Sequence, residues 1–78
     1  MEAYTILDTS GDVCPVPVIK VRRRLDKLEK GNVLEVIGTH EESRGDIIRT
    51  IKQLKMELIK VETDKDRKWH ILIRKPGG

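Results

Sequence analysis

Cysteine and aromatic residues are scarce in this chain of 78 residues, which has one cysteine, one tryptophan, one tyrosine and no phenylalanine. A single cysteine excludes a disulfide within the chain. It also excludes the Cys-x-x-Cys pair on which dithiol redox proteins and many zinc modules depend. The near absence of aromatic side chains argues against a base-stacking surface for single-stranded nucleic acid. The core must therefore be aliphatic.

Long apolar runs are lacking as well, and no stretch approaches the roughly 18 apolar residues that a membrane-spanning helix needs. Residues 1–10 have neither the basic start nor the apolar run of a secretory signal peptide. We therefore expect a protein of the reducing cytoplasm with no membrane partner. One cysteine and two distant histidines make a poor ligand set, so we expect no metal and no cofactor.

Charge is plentiful but nearly balanced. Charged residues make up 37% of the chain, and 16 Lys and Arg against 13 Asp and Glu give a net charge of +3. This excess is modest for a dedicated nucleic-acid binder. The apolar residues recur with clear periodicity, which indicates a folded chain, and the length corresponds to one small domain spanning residues 1–78.

The periodicity predicts the order β-α-β-α-β-β. Strands are predicted at Tyr4–Asp8, Val33–Ile37, Glu57–Glu62 and Trp69–Arg74. The first helix is predicted from about Pro15 to Glu29, with the apolar stripe Val18, Val21, Leu25 and Leu28. The second is predicted to end near Lys55, with the stripe Ile47, Ile48, Ile51 and Leu54. Thr39 and Glu42 are predicted to form a capping box before it, and residues 75–78 a frayed tail.

This order predicts an α+β fold, a two-layer α/β sandwich with a mixed four-stranded sheet and two helices on one face. Crossovers between parallel strands are right-handed, which brings both helices to the same face. The tight last connection makes the fourth strand antiparallel to the third. Trp69, Ile71 and Ile73 are assigned to the helix-covered face, whereas the second strand is apolar on both sides and its orientation stays undecided.

Cys14 precedes the first helix in Cys14-Pro15-Val16-Pro17. With Cys14 as N-cap, Pro15 takes the first helical position, where its missing N–H costs nothing. Alternatively the helix begins nearer Pro17, because Val16 precedes a proline and is pushed away from helical angles. In both cases the positive end of the helix dipole is expected to lower the thiol pKa. We favour an exposed, reactive thiol over the alternative of an inert buried one.

Basic side chains follow on the same helix, namely Lys20, Arg22, Arg23 and Arg24. Their positive potential suits an acidic protein partner or an RNA backbone, although a merely solvated helix face is the alternative. His40 follows the second strand, and loops after parallel neighbours share one sheet edge. An imidazolium there would favour the thiolate of Cys14, but an exposed histidine without a role is the simpler interpretation.

The pattern Leu7-Asp8-x-x-Gly11-x-x-Cys14-Pro15-x-Pro17, with Leu25 further along, resembles the signature of the TusA/SirA-like sulfur-carrier family. The length, the element order, the Asp46-Ile47 pair at the second helix and the Glu57-Leu58 strand start also fall where that family has them. The resemblance implies that Cys14 carries sulfane sulfur as a persulfide. It further implies that Asp8 and Gly11 set the preceding turn, and that Pro15 and Pro17 shape the helix entrance.

The resemblance also implies a cysteine desulfurase or rhodanese-type sulfur donor and a downstream acceptor protein. The acceptor would serve tRNA thiolation, cofactor sulfuration or sulfur oxidation, with RNA contacted at most indirectly. Two departures concern the loop Thr39-His40-Glu41, where many relatives have acidic residues and proline, and Ile51, where some have a second cysteine.

We accordingly expect a monomeric, sulfurtransferase-like carrier. The alternative is a regulatory or nucleic-acid-binding adaptor that uses the basic first helix, and a one-cysteine redox sensor is a third interpretation.

Overall fold

A computed structural model of the protein describes residues 4–76, and residues 1–3 and 77–78 lie outside the described part. The elements follow the predicted order: β1 (Tyr4–Asp8), α1 (Val16–Lys27), β2 (Val33–Gly38), α2 (Glu41–Gln53), β3 (Glu57–Thr63) and β4 (Trp69–Arg74). The sheet has the strand order β1-β2-β4-β3. β1 and β2 are parallel, and β4 is antiparallel to both of its neighbours. The predicted α+β class and the antiparallel pairing of the last two strands are confirmed.

The core lies between the sheet and the two helices, which cover the same face. The helices contribute Val21, Leu25, Ile47 and Ile51, and Leu28 follows directly after α1. The sheet contributes Leu34, Val36, Trp69, Ile71 and Ile73. The predicted inward face of β4 is therefore confirmed. The register also settles the orientation of β2, because Leu34 lies opposite Ile73 and Val36 opposite Ile71, and directly opposed residues share a face.

Both helices end earlier than predicted. α1 ends at Lys27 because Leu28 is already extended, with ψ of 136°, and α2 ends at Gln53. Gly31 has a φ of +86°, a left-handed conformation that glycine adopts readily, and it turns the chain toward β2. In the described part, neither helix has the length and apolar character that a membrane crossing requires.

Lys75, the first residue of the predicted frayed tail, is held by hydrogen bonds. The backbone of Lys75 bonds to Gly31 and Asn32 at 2.7 and 3.1 Å, and its Nζ donates to the carbonyl of Leu25 at 3.1 Å. These contacts fasten Lys75 beside the end of α1. Residues 77–78 of the predicted tail lie outside the described residues.

The end of β2 is fixed by Trp69, which is fully buried. Its ring occupies the space that a side chain at position 38 would need, so only glycine fits there. The indole Nε1 donates to the carbonyl oxygen of His40 at 3.1 Å. The single tryptophan thereby fastens the junction between β2 and α2.

The sheet face away from the helices carries a polar network centred on His70. Its Nδ1 lies 2.9 Å from Glu35 Oε2, and its Nε2 lies 2.8 Å from Asp64 Oδ2. The Tyr4 hydroxyl donates to the other oxygen of Glu35. Hydrogen bonds to Asp64 and Glu35 raise the pKa of His70, and the bond from His70 lowers the pKa of Asp64. The network favours a doubly protonated imidazolium.

Candidate functional site

The loop between β1 and α1 is tied to the loop between β2 and α2. The backbone N–H and the hydroxyl of Thr9 both donate to the carbonyl of Ile37 at 2.7 Å. The N–H of Gly11 donates to Thr39 Oγ1 at 3.1 Å. Both loops therefore lie at one edge of the sheet, as predicted for loops that follow parallel neighbours. This brings residues after Gly11 close to the beginning of α2.

The turn before the cysteine is formed by Asp8 and Gly11. Asp8 Oδ1 accepts a hydrogen bond from the backbone N–H of Ser10 at 2.8 Å, and hydrogen bonds from Ser10 lower the pKa of Asp8. Gly11 has a φ of +83°, which a residue with a Cβ adopts only at a cost. The turn reverses the chain after β1 and leads it toward α1.

Helix α1 begins one residue later than the first of the two predicted registers. Pro15 occupies the N-cap, so Cys14 lies outside the helix and no side chain caps it. The Cys14–Pro15 peptide bond is cis. Pro17, at the second helical position, is fully buried, whereas Pro15 is exposed. One proline thus anchors the helix start in the core while the other stays beside the thiol.

Cys14 is exposed, as predicted, and its thiol has a carboxylate partner. Sγ donates a hydrogen bond to Asp46 Oδ2 at 3.4 Å. The other carboxylate oxygen, Oδ1, accepts a hydrogen bond from Arg49 Nη2 at 2.8 Å. The bond to Asp46 raises the pKa of the Cys14 thiol, and partial loss of hydration and the negative charges of Asp46 and Glu42 add to this. The expectation of a lowered thiol pKa is therefore wrong for the unbound protein, because a carboxylate in contact opposes the thiolate directly.

The thiol opens onto a shallow pocket of about 270 Å³ between α1 and α2. It is lined by Cys14, Pro15, Val18, Asp46, Arg49, Thr50 and Gln53. Beside it in the chain, three apolar residues are exposed: Val13, Val16 and Ile19. We refer to these three as the apolar collar. Because Cys14 is exposed and lines an open pocket, another macromolecule can reach its thiol.

The hydrogen-bond partner of the thiol is Asp46, whereas the ring of His40 is engaged by Ser43 at the start of α2. That an imidazolium at position 40 favours the thiolate stays a prediction. The Nδ1 of His40 accepts a hydrogen bond from the backbone N–H of Ser43 at 3.3 Å and lies 2.8 Å from the Ser43 hydroxyl. His40 is therefore the N-cap of α2. The predicted capping box is also wrong, because the Thr39 hydroxyl is directed to Gly11 rather than to the helix.

Three of the four predicted basic residues line a second depression, of about 400 Å³, on the side of α1. We call it the basic groove, and it is lined by Leu7, Lys20, Arg23, Arg24 and Lys27. Arg22 is exposed but does not line it. Lys20 also forms an ion pair with Asp12 at 2.5 Å. The groove offers several cations around one apolar side chain.

Asp46 is the residue of the site that sequence reasoning did not assign a role. Position 46 is separated from Cys14 by 32 residues, and only the tertiary packing of α2 brings the two together. The one available signal was the Asp46-Ile47 pair in the resemblance. Within residues 4–76, no group of three or more His, Cys, Asp or Glu side chains is arranged to hold a metal ion.

Comparison with known proteins gives consistent results. The profile of the family described as "Sulfurtransferase TusA" matches residues 5–75. A protein of Archaeoglobus fulgidus, named as a candidate sulfur carrier protein, is 36% identical over 75 residues, which cover 96% of this chain and 85% of that protein. "Sulfur carrier protein TusA" of Allochromatium vinosum is 36% identical over 69 residues, or 88% of this chain and 90% of that protein.

A solved structure shares the fold. The crystal structure of a SirA-like protein from Desulfitobacterium hafniense superposes with a TM-score of 0.84 at 23% identity. The superposition covers 94% of this chain and 99% of that one.

Proposed function

The chain belongs to the family of the sulfurtransferase TusA, whose named relatives are sulfur carrier proteins, and on this premise we propose that Cys14 carries sulfane sulfur as a persulfide between two partner proteins. The observation that carries the proposal is the exposure of the thiol at the mouth of a pocket. Cys14 is also the only cysteine of the chain, so sulfur cannot be passed on internally. In this proposal Cys14 therefore receives sulfur from one molecule and passes it to another.

The proposed chemistry is persulfide exchange. The sulfur of Cys14 attacks the outer sulfur of a donor persulfide, and the donor leaves as a thiolate. A second thiolate, on the acceptor, then removes the outer sulfur and regenerates Cys14. Such exchanges depend on access to the reacting sulfur more than on an enclosed active site. The shallow pocket and the exposed thiol fit this requirement.

The proposed partners are a cysteine desulfurase or rhodanese-type donor and a downstream acceptor that serves tRNA thiolation, cofactor sulfuration or sulfur oxidation. The apolar collar next to Cys14 would supply the desolvated centre of a transient interface. The basic groove would guide an acidic partner surface toward it. The proposed carrier is a monomer acting in the cytoplasm, where thiols stay reduced.

The test is to incubate the protein with a cysteine desulfurase and cysteine, and to measure its intact mass with and without a reductant. We expect a gain of one sulfur atom that the reductant removes and that Cys14→Ser does not show. The absence of this gain with both a desulfurase and a rhodanese donor would contradict the proposal. Salt-sensitive RNA binding in that same case would instead favour an adaptor that uses the basic groove.

A further inference from the structure

Asp46 Oδ2 accepts the hydrogen bond of the Cys14 thiol. We propose that Asp46 accepts the proton of this thiol during sulfur transfer and returns it to the departing thiolate, so that it is a catalytic partner of Cys14. This inference rests on the proposed persulfide exchange. It adds a second residue, from a different element of the fold, to what would otherwise be a single-cysteine site.

The geometry divides the two carboxylate oxygens of Asp46 between two tasks. Oδ1 is held by Arg49 at 2.8 Å, and Oδ2 faces the thiol at 3.4 Å, within hydrogen-bonding distance for sulfur. The backbone at Asp46 is held too, since the Thr50 hydroxyl donates to its carbonyl at 2.9 Å. The carboxylate therefore has one oxygen fastened and the other directed at the S–H bond. Asp46, Arg49 and Thr50 all belong to α2, and all three line the pocket next to Cys14.

The environment of the thiol makes a proton acceptor useful. Because the neighbouring carboxylates raise the pKa of Cys14, free thiolate is scarce near neutral pH. A thiol of high pKa is nevertheless a strong nucleophile once its proton is removed. A base in contact with the S–H bond can take the proton as the new sulfur–sulfur bond forms, which avoids a costly free thiolate.

The proposed step conserves atoms and charge. The Cys14 S–H bond breaks, its proton moves to Asp46 Oδ2, and the electron pair left on Sγ forms a bond to the outer sulfur of the donor persulfide. The sulfur–sulfur bond of the donor breaks, and its electron pair stays on the inner sulfur. That thiolate takes the proton from Asp46. The products are the Cys14 persulfide, the donor thiol and the original carboxylate.

The variant Asp46→Asn tests the proposal because it retains the shape of the side chain but removes its charge and its basicity. Two rates are measured: alkylation of Cys14 by iodoacetamide as a function of pH, and sulfur uptake from a persulfide donor. We expect the thiol pKa to fall and alkylation at neutral pH to become several-fold faster. We expect sulfur uptake to become slower by about tenfold to a hundredfold, the usual loss when a general base is removed. The two rates should move in opposite directions.

Glu42→Gln is the matched control. Glu42 contributes negative charge at the thiol but is not its hydrogen-bond partner. Its removal should speed alkylation slightly and leave sulfur uptake at least as fast as in the unchanged protein. Faster uptake in Asp46→Asn as well would mean that the carboxylate only keeps the thiol protonated, and would overturn the proposal. Unchanged rates in Asp46→Asn would also overturn it.

A second measurement needs no substitution. In the unchanged protein, alkylation should fall by about tenfold for each pH unit below the thiol pKa, because it follows the thiolate. If Asp46 takes the proton, sulfur uptake should fall less steeply over the same range. Parallel slopes would contradict the role of Asp46, whereas failure of the unchanged protein to take up sulfur at all would contradict the proposed function itself.

Discussion

At the scale of single residues, Gly38 and Trp69 are paired where β2 ends and β4 begins. The indole lies against the backbone of position 38 and bonds to the carbonyl of His40. The same contact fixes the residue that caps α2. A side chain at position 38 would displace the ring, and with it the beginning of the helix that carries Asp46.

We therefore expect Gly38→Ala to lower the free energy of unfolding by about 1–3 kcal/mol, the usual cost of overpacking a core. Gly45→Ala is the control, since Gly45 belongs to α2 and a methyl group there would meet no atom within 4 Å beyond the adjoining helix backbone. It should raise the free energy of unfolding by up to about 1 kcal/mol through helix propensity. Urea denaturation of both variants measures the difference, and equal effects would contradict this interpretation of the Trp69 contact.

The exposure of Cys14 could be predicted at this scale, but the direction of its pKa could not. Two prolines after the cysteine predict the start of a helix, and this prediction needs only the local sequence. The carboxylate that decides the protonation of the thiol belongs to a residue 32 positions later and reaches the sulfur only through packing. For the same reason, the sequence could place the loop of His40 at the sheet edge that also carries the Cys14 loop, but it could not show that the His40 ring is engaged by Ser43.

At the scale of elements, the amphipathic pattern predicted all six helices and strands and left only their ends in error. Trp69, Ile71 and Ile73 alternate strictly, so β4 could be oriented from the sequence. β2 could not, because it is a central strand and apolar residues occur on both of its faces. Its pairing with β4 places Glu35 and Ile37 on the uncovered face, beside Leu72 and His70.

That uncovered face makes the stability of the sheet depend on pH. The carboxylates of Asp64 and Glu35 raise the pKa of His70 above its ordinary value of 6.5. The contribution of His70 to the free energy of unfolding is therefore complete below pH 6.5 and is lost as the pH rises through its folded-state pKa. The lowered pKa of Asp64 has its effect in acid. The contribution of Asp64 to the free energy of unfolding is present above pH 3.8 and is lost as the pH falls through its folded-state pKa. We expect the melting temperature to be highest between these two values.

The measurement is the melting temperature of the unchanged protein and of His70→Gln from below pH 3.8 to well above pH 6.5. The variant should melt at a lower temperature in mild acid, and the fall in melting temperature above pH 6.5 should be largely absent. A variant with the same decline would show that another group is responsible. Cys14 provides an internal check, because its alkylation rate should not change with this distant substitution.

At the scale of the whole molecule, two different surface regions lie along α1. Its beginning carries the apolar collar and the thiol, and its flank carries the basic groove. The sequence predicted the positive charge of this helix but not which of its arginines would act together. Arg23 and Arg24 line the groove whereas Arg22 does not. Lys20, Arg23, Arg24 and Lys27 follow the i, i+3, i+4, i+7 spacing of one helix face, and Arg22 falls outside it.

This division makes a charge-reversal test specific. Arg23→Glu should slow sulfur uptake from an acidic donor protein at low salt by about tenfold, through the association rate, and added salt should reduce the difference. Arg22→Glu changes the net charge by the same amount at a position outside the groove, and its effect should be several-fold smaller. Equal losses in the two variants would indicate that only net charge matters.

The position of the single indole has a practical consequence. Trp69 is wholly shielded from solvent and is hydrogen-bonded to His40, the N-cap of α2, which lies between one and two helical turns before Asp46. Its fluorescence is thus an intrinsic optical reporter of that junction, with no other tryptophan in the chain to obscure it. A partner that shifts α2 on binding should change the emission spectrum of Trp69, so its binding can be followed without a label.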